Sequence, residues 1–374
     1  MKVLNIIWKF TTGGIGKCFL IYDKCSEVDN DVKVISACVD PINCKYDRKP
    51  LYDINARILK IKNRKDFSWI GKIYNLIIDE KPDIIFTHGL YGAIIIEVTK
   101  FFHPKIKNIP VVISFHGLYN PPTWKTAILT SFFNKLIAFI CKYRATKVVI
   151  VSKFAGEYLL KNGVSPDKLH LVYNGLKEHI ESKSPVVLDK SFVNIGFAGR
   201  IDEIKGIKYL LEAIASLKKE INTKIKLYII GDGPLLNEMF FLSRTLEITD
   251  IIEFKGYQNN IPDWLNSLDI FVLPSLQENH SIALLEAMRA GCAIVCTNIG
   301  GNPETVNNER EALLVPSKDS MAIKKAMKRL IESEELRTYL GNNAKLRFLN
   351  TFTEEKTKRS LVNCFKSILG DSRK

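Results

Sequence analysis

Two glutamates stand out in the stretch PSLQENHSIALLEAMRAG, residues 274–291. Glu278 follows the apolar strand pattern DIFVLPS, and Glu286 lies in a helical pattern that ends at Gly291. A carboxylate accepts two hydrogen bonds at once, which suits the paired hydroxyls of a ribose, and amides at a helix start suit phosphate oxygens. These amides belong to Asn279, His280, Ser281 and Ile282. The alternative is a pair of solvated surface acids.

A basic loop lies earlier in the chain, in the stretch GFAGRIDEIKGIKYLLEAI. Arg200 follows Gly199, and Lys205 precedes Gly206, at the point where a strand pattern ends and a helical pattern begins. A guanidinium binds phosphate oxygens in a planar, bidentate way, and an ammonium adds a mobile point charge. The pair therefore predicts a diphosphate site, with a solvated basic loop as the alternative.

Other strand ends carry weaker signals. The segment TTGGIGK (11–17) fits neither a Walker loop nor a dinucleotide fingerprint, so it is either an anion-binding glycine turn at a helix start or a plain turn. His88 and His116 each end a strand pattern and precede a glycine, so two such ends side by side would line one cleft; a structural role is the alternative for each. Tyr257 follows another strand, where it could stack on a base or belong to a plain turn.

Short β-branched runs alternate with longer helical patterns in two consecutive series. The first series of strands is predicted at 3–8, 31–37, 83–88, 110–117 and 147–152, and the second at 193–199, 225–231, 251–256, 270–275, 293–298 and 312–316. Nearly continuous apolar character indicates strands buried on both faces, as in a parallel sheet covered by helices. The fold class is therefore α/β with two doubly wound domains, and ligands are expected at the carboxyl ends of the strands.

The domain limits follow from the same pattern. Residues 1–176 form the predicted N-terminal domain, and 192–352 form the predicted C-terminal domain. The polar segment 177–191 lacks clear periodicity and is interpreted as the linker. One amphipathic helix closes the chain within 353–374.

Composition narrows the class of protein. At 374 residues the chain fits two domains, and 46% hydrophobic with 25% charged residues is typical of a globular protein. No apolar run approaches the roughly 18 residues of a membrane span, and the N-terminus reads as a strand rather than a signal peptide. The 8 cysteines show no zinc spacing and are expected to be reduced core thiols in the cytosol. A net charge of +14 favours an anionic partner.

The stretch 193–306 resembles the retaining glycosyltransferases of family 4, which have the two-domain GT-B fold. GRIDEIKG, IIGDGP, FKGY, DIFVLPSLQENHSIALLEAMRAG and TNIGGNPETV carry the resemblance in the family's order. In the N-terminal half, TTGGIGK, SFHG, VIVSKFAGEYL and VYNGL add to it. The resemblance implies two Rossmann-like domains facing each other across a cleft: an acceptor-side N-terminal domain and a donor-binding C-terminal domain. It also implies that the C-terminal helix packs back toward the N-terminal domain.

The resemblance assigns roles to the residues of the C-terminal half. Arg200 and Lys205 look like the pair that binds the diphosphate. Glu286 looks like the ribose-binding glutamate, and Glu278 looks like the one that faces the donor sugar. Where the family has Gly-Phe-Gly or Gly-Phe-Pro after the first glutamate, this chain has Asn-His-Ser at 279–281, which bears on the choice of sugar.

In the N-terminal half, Gly14 looks like the glycine that contacts the donor phosphate, and His116 like the cleft histidine near the donor sugar. The residues implied to be catalytic are Glu278, His116, Arg200 and Lys205. The residues implied to bind the donor are Gly14, Arg200, Lys205, Tyr257, Glu278, Asn279, His280, Ser281, Ile282 and Glu286.

The mechanism that the resemblance implies uses no protein nucleophile and no metal or other cofactor. The leaving diphosphate takes the proton of the acceptor on the face of attack, so the anomeric configuration is retained. The protein then contributes positioning and charge stabilisation. The enzyme class implied is a glycosyltransferase of the hexosyltransferase type.

The expected partners are a nucleotide-sugar donor, with UDP-sugar as the first choice, and a glycan acceptor in bacterial cell-surface polysaccharide synthesis. Segment 123–145 is amphipathic and carries Trp124, Phe132, Phe133 and Phe139 beside lysines and Arg144. It predicts either contact with an anionic membrane and a lipid-linked acceptor, or a helix packed on the sheet. The expected location is the cytoplasm, with peripheral membrane binding as a further expectation. Alternatives are a small soluble acceptor, a degenerate sugar-nucleotide binder, or a non-catalytic nucleic-acid-binding protein; no Arg-rich or aromatic-interleaved stripe supports the last.

Overall fold

The computed structural model describes residues 1–11, 13–41, 47–63, 65–118, 127–181 and 185–371. The chain divides into two compact units. The first comprises Met1–Gly175 with Glu354–Lys374, and the second comprises Leu176–Thr353. Each unit has a parallel β-sheet buried by helices, as the apolar strand patterns predict.

The first unit has a 7-stranded sheet in the order β3-β2-β1-β4-β5-β6-β7, with every neighbouring pair parallel. The strands are β1 (Lys2–Ile7), β2 (Lys33–Pro41), β3 (Arg57–Ile61), β4 (Ile84–His88), β5 (Val111–Phe115), β6 (Lys147–Ile150) and β7 (Leu169–Leu171). The helices between them are α1 (Gly14–Asp23), α2 (Lys49–Asp53), α3 (Trp69–Glu80), α4 (Gly89–Phe102), α5 (Ala127–Tyr143) and α6 (Lys153–Lys161). The strand order reverses between β1 and β4, which is where doubly wound sheets bind ligands.

Two strands of this sheet escaped prediction, and both lie at its edges. β3 reads RILKI and β7 reads LHL, so neither has the continuous apolar run of a central strand. Their residues are mostly half-buried or exposed, so these strands need fewer apolar side chains than the buried central strands. The predicted central strands are all present, with ends that differ by a few residues.

The second unit has a 6-stranded parallel sheet in the order β10-β9-β8-β11-β12-β13. Its strands are β8 (Val193–Ala198), β9 (Ile225–Ile230), β10 (Ile252–Gly256), β11 (Ile270–Leu273), β12 (Ala293–Thr297) and β13 (Leu313–Val315). Its helices are α7 (Ile207–Lys218), α8 (Leu236–Thr245), α9 (Ile261–Ser267), α10 (Ile282–Ala290), α11 (Asn302–Thr305), α12 (Ser320–Glu332) and α13 (Glu334–Thr351). Here the order reverses between β8 and β11, so the loops after these two strands become neighbours.

The last helix, α14 (Glu354–Asp371), packs within the first unit. Leu361 and Phe365 join the core formed by Val3, Tyr22 and Phe86. Among the described residues, no helix is long and apolar enough to cross a membrane. The segment 177–191, which was predicted to be the linker, belongs to the second unit. Its residues 182–184 lie outside the described part of the chain.

Candidate active site

The loops after β8 and β11 are packed against each other in the second unit. The amide of Leu276 donates a 2.7 Å hydrogen bond to the carbonyl of Ile204, which joins the two loops directly. Gly206 has a φ of +62°, and a Cβ there would overlap the carbonyl oxygen of Pro274. A glycine is therefore required for this close approach. The two loops carry the basic pair and the first glutamate of the sequence prediction.

Lys205 and Glu278 form the centre of this site. The Lys205 Nζ lies 2.7 Å from Glu278 Oε1, and the hydroxyl of Ser275 donates to the same oxygen at 2.8 Å. Glu278 is only 8% exposed, so the ion pair is shielded from solvent. A shielded pair holds its geometry more tightly than a surface pair, because charge-assisted hydrogen bonds strengthen where water is excluded.

A network of buried polar residues supports the loop that carries Glu278. Ser275 is fully buried, and its carbonyl accepts a 2.7 Å hydrogen bond from the Thr297 hydroxyl. The carbonyl of Thr297 in turn accepts from Asn302 Nδ2 at 2.9 Å. Sequence reasoning missed these three residues. For Ser275 and Thr297 the available signal was a polar residue at the end of an otherwise apolar buried strand, because buried polar groups need hydrogen-bond partners.

Arg200 lies on the same loop as Lys205 and is largely exposed. Its Nε is 3.4 Å from Asp202 Oδ2, while Asp202 Oδ1 is buried and has no hydrogen-bond partner within the described part of the chain. Burial raises the pKa of the Asp202 carboxyl, and the nearby charges of Lys205 and Arg200 act in the opposite direction. Asp202 therefore lies within the field of both predicted phosphate-binding cations.

The start of α10 follows the predicted pattern. Ser281 is the N-cap, its hydroxyl accepts from the amide of Leu284, and the helix ends at Gly291 with a φ of +78°. The side chain of His280 is buried with its ring 5.4 Å from that of Phe352, and burial lowers its pKa to about 3. The imidazole thus has a packing role, whereas the role predicted for Asn279–Ile282 concerns main-chain amides.

Glu286 lies on α10, and Tyr257 follows β10. Glu286 lines a surface cavity of about 170 Å³. The other lining residues are Glu178, His179, Ile180, Pro262, Asn266, Arg289, Ala290 and Lys345. Tyr257 is 67% exposed just after β10.

Gly14 and His116 belong to the first unit. Gly14 is exposed and begins α1, directly after the N-cap Gly13. His116 follows β5, is half-buried, and has its Nε2 3.0 Å from the Ser114 hydroxyl and 3.4 Å from Nδ1 of His88. Burial lowers the pKa of His116 to about 4. The two histidines predicted to lie side by side are therefore in contact.

Two family models match adjoining parts of the chain. The one described as Glycosyltransferase Family 4 matches residues 29–178, and the one described as Glycosyl transferases group 1 matches residues 180–347. The chain belongs to glycosyltransferase family 4. This confirms the predicted enzyme class, a glycosyltransferase.

Relatives and solved structures agree with this family. An uncharacterised glycosyltransferase of Methanocaldococcus jannaschii is 24% identical over 98% of both chains. The Escherichia coli UDP-Gal:alpha-D-GlcNAc-diphosphoundecaprenol alpha-1,3-galactosyltransferase is 25% identical over 77% of this chain and 76% of its own. The crystal structure of Anabaena HepE in complex with UDP superposes with a TM-score of 0.82 at 16% identity, covering 98% of this chain and 100% of HepE. The predicted fold class, two Rossmann-like domains of the GT-B type, is confirmed.

Proposed function

We propose that this glycosyltransferase moves a sugar from a UDP-sugar to a lipid-linked glycan acceptor in cell-surface polysaccharide synthesis, with retention of the anomeric configuration. The observation that carries the proposal is the shielded Lys205–Glu278 pair next to Arg200, at the switch point of the second sheet. Two cations at this position suit the diphosphate of a nucleotide-sugar. The carboxylate is held in place beside them, where it can face the sugar.

Known relatives support the choice of donor and acceptor. HepE, which shares the fold, was crystallised with UDP, and the E. coli relative is named for transfer from UDP-Gal to a diphosphoundecaprenol-linked sugar. UDP is therefore the first nucleotide to test, and a polyprenyl diphosphate sugar is the first class of acceptor. Gly14, His116, Tyr257 and Glu286 keep their roles as predictions from the family resemblance.

The charged groups of the site would promote cleavage of the bond between the sugar and the diphosphate. Negative charge develops on the leaving diphosphate as the glycosidic bond breaks, and Lys205, Arg200 and the positive start of α10 would stabilise it. The Glu278 carboxylate would stabilise positive charge that develops on the sugar ring. These groups supply the charge that a divalent cation provides in other transferases, so we propose that transfer is independent of metal. No protein nucleophile is required in this scheme.

The stereochemistry of slow donor hydrolysis tests the proposal without a known acceptor. A panel of UDP-sugars is incubated with the enzyme, and UDP release and the first-formed anomer are followed by NMR before mutarotation. We expect one UDP-sugar to release its sugar with the configuration of the donor, equally with EDTA or Mg²⁺. Glu278→Gln should slow release about a hundredfold, because it removes one charge interaction in the transition state. An inverted product, or no release from any UDP-sugar or other nucleotide-sugar, would contradict the proposal.

Helix α5 of the first unit offers a surface for the membrane that carries a lipid-linked acceptor. Ile128, Phe132, Lys135, Phe139 and Tyr143 are all exposed, and their spacing places them on one stripe of the helix. Aromatic side chains with a basic residue on one face are typical of helices that lie in a membrane interface. Residues 123–126 of the predicted segment, including Trp124, lie outside the described residues.

Sedimentation with lipid vesicles tests this surface. Phe132→Ser with Phe139→Ser should reduce binding to anionic vesicles at least tenfold, since each buried phenylalanine contributes about 1.5–3 kcal/mol. Phe241→Ser is the control, because Phe241 is 70% exposed but lies on α8 of the second unit. Raising the salt concentration should weaken binding further. Equal binding of all three proteins would exclude α5 as the membrane surface.

A further inference from the structure

A buried polar chain in the first unit connects a backbone carbonyl to His116. Asn5 Nδ2 lies 3.3 Å from the carbonyl oxygen of Phe19 and 3.0 Å from the Ser36 hydroxyl. Asn5 Oδ1 lies 2.8 Å from His88 Nε2, and His88 Nδ1 lies 3.4 Å from His116 Nε2. Asn5 is fully buried, and His88 is 5% exposed. The chain runs from β1 through the end of β4 to the loop after β5.

The orientation of the Asn5 side-chain amide determines the direction of its hydrogen bond with His88. A backbone carbonyl can only accept a hydrogen bond, so the amide nitrogen of Asn5 must face Phe19. The amide oxygen of Asn5 then faces His88, and this oxygen can only accept. Nε2 of His88 must therefore carry a hydrogen.

The protonation state of His88 determines the direction of its hydrogen bond with His116. Its ring packs 4.8 Å from Phe86 and 5.7 Å from Tyr22, and burial holds the pKa of His88 well below its usual range. A neutral imidazole carries one ring hydrogen, so Nδ1 of His88 is a bare acceptor. The group that faces it is Nε2 of His116, which must donate because two bare nitrogens would repel each other. The Ser114 hydroxyl at 3.0 Å can accept from the same N–H.

We infer that Asn5 and His88 are positioning residues that hold His116 as the Nε2–H tautomer, leaving Nδ1 of His116 as an acceptor for a hydroxyl of the sugar substrate. Nδ1 of His116 has no hydrogen-bond partner within the described part of the chain, and the residue is half-buried at a strand end. The tautomer rests on contacts inside the first unit alone. Its use by a sugar hydroxyl rests on the proposed function.

NMR of the ring nitrogens tests the tautomer directly. The wild-type protein is labelled with ¹⁵N-histidine, and His88→Gln and His116→Gln identify the signals of the two rings. We expect Nε2 protonated and Nδ1 bare in both rings at pH 7. A hydrogen on Nδ1 of His116 would overturn the inference. This measurement needs no ligand, so its outcome is independent of the proposed function.

Substitutions in this buried polar chain test whether Asn5 positions His116. Asn5→Leu removes the hydrogen-bond acceptor for His88, so His116 should no longer prefer the Nε2–H tautomer. The affinity of the enzyme for the UDP-sugar that it hydrolyses should then fall about tenfold, which is the effect of one hydrogen bond. Affinity for UDP alone should change less than twofold. Ser36→Ala is the matched control, because it removes a buried hydrogen-bond partner of Asn5 that is not on the path to His116.

Three outcomes separate the inference from the proposed function. If UDP-sugar binding shifts the Nδ1 resonance of His116, the acceptor role is supported. If the UDP-sugar binds and leaves that resonance unchanged, the acceptor role is overturned although the donor site stands. If no nucleotide-sugar binds the wild type, the proposed function fails, and the tautomer is still decided by the ligand-free spectrum.

Discussion

Lys205→Met is expected to weaken UDP binding by about a hundredfold and to lower the free energy of unfolding. On the proposed function, the substitution removes a charge-assisted hydrogen bond from Lys205 to the donor phosphate, worth about 1.5–3 kcal/mol. The substitution also leaves the shielded Glu278 carboxylate with Ser275 as its one remaining hydrogen-bond donor among the described residues. An imperfectly satisfied buried charge costs about 1–3 kcal/mol of stability. Titration calorimetry with UDP and urea unfolding measure the two effects.

Two further variants assign these effects to the ion pair. Lys208→Met is the control, since Lys208 is 59% exposed on α7 and forms a surface ion pair with Glu212. We expect little change in UDP affinity or in the free energy of unfolding. Lys205→Met combined with Glu278→Gln should regain most of the lost stability, because no buried charge remains unpaired, but it should not regain UDP affinity. If the double variant is no more stable than Lys205→Met, the ion pair does not explain the loss.

Gly300→Ala is expected to lower the free energy of unfolding by about 3–4 kcal/mol, a large effect for one methyl group. Gly300 has a φ of +53°, and a Cβ at this position would overlap the carbonyl oxygen of Glu278. The loop after β12 must therefore move away from Glu278. Because that loop also donates from the amide of Gly301 to the carbonyl of Glu278, UDP-sugar hydrolysis should fall together with stability.

Gly256→Ala separates backbone strain from steric overlap. Gly256 has a φ of +63°, similar to that of Gly300, but a Cβ there meets no atom within 4 Å. Its cost should be the strain alone, about 1–2 kcal/mol. Chemical denaturation of both variants provides the comparison. Equal losses of stability would show that contact with Glu278 contributes nothing.

The sequence predicts much of the fold because the strands and the ligand-binding ends are local features. Apolar runs indicate the central strands, and a doubly wound sheet places the loops after β8 and β11 side by side. The direct contact of Lys205 with Glu278 follows from that topology, although the two residues are far apart in the chain. The edge strands β3 and β7 were missed because they are short and mix polar with apolar residues.

The supporting contacts of the site could not be predicted, because they depend on three-dimensional packing. Ser275, Thr297 and Asn302 are ordinary polar residues in the sequence, and only the fold stacks them behind Glu278. The link from Asn5 to His88 likewise joins two strands that are distant in sequence. Patterns of single residues carry no information about such pairings, whereas the buried polar groups in the structure must satisfy one another.

Thermal unfolding with a nucleotide panel tests most directly whether the second unit binds the diphosphate of a nucleotide-sugar. UDP, GDP, ADP and CMP are each added with EDTA or with Mg²⁺ to the wild type and to Arg200→Ala. At about 100 times its dissociation constant, a ligand stabilises the fold by about 2.7 kcal/mol, which gives a readable shift. We expect a metal-independent shift with UDP that is greatly reduced in Arg200→Ala. No shift with any nucleotide, or an equal shift in the variant, would contradict it.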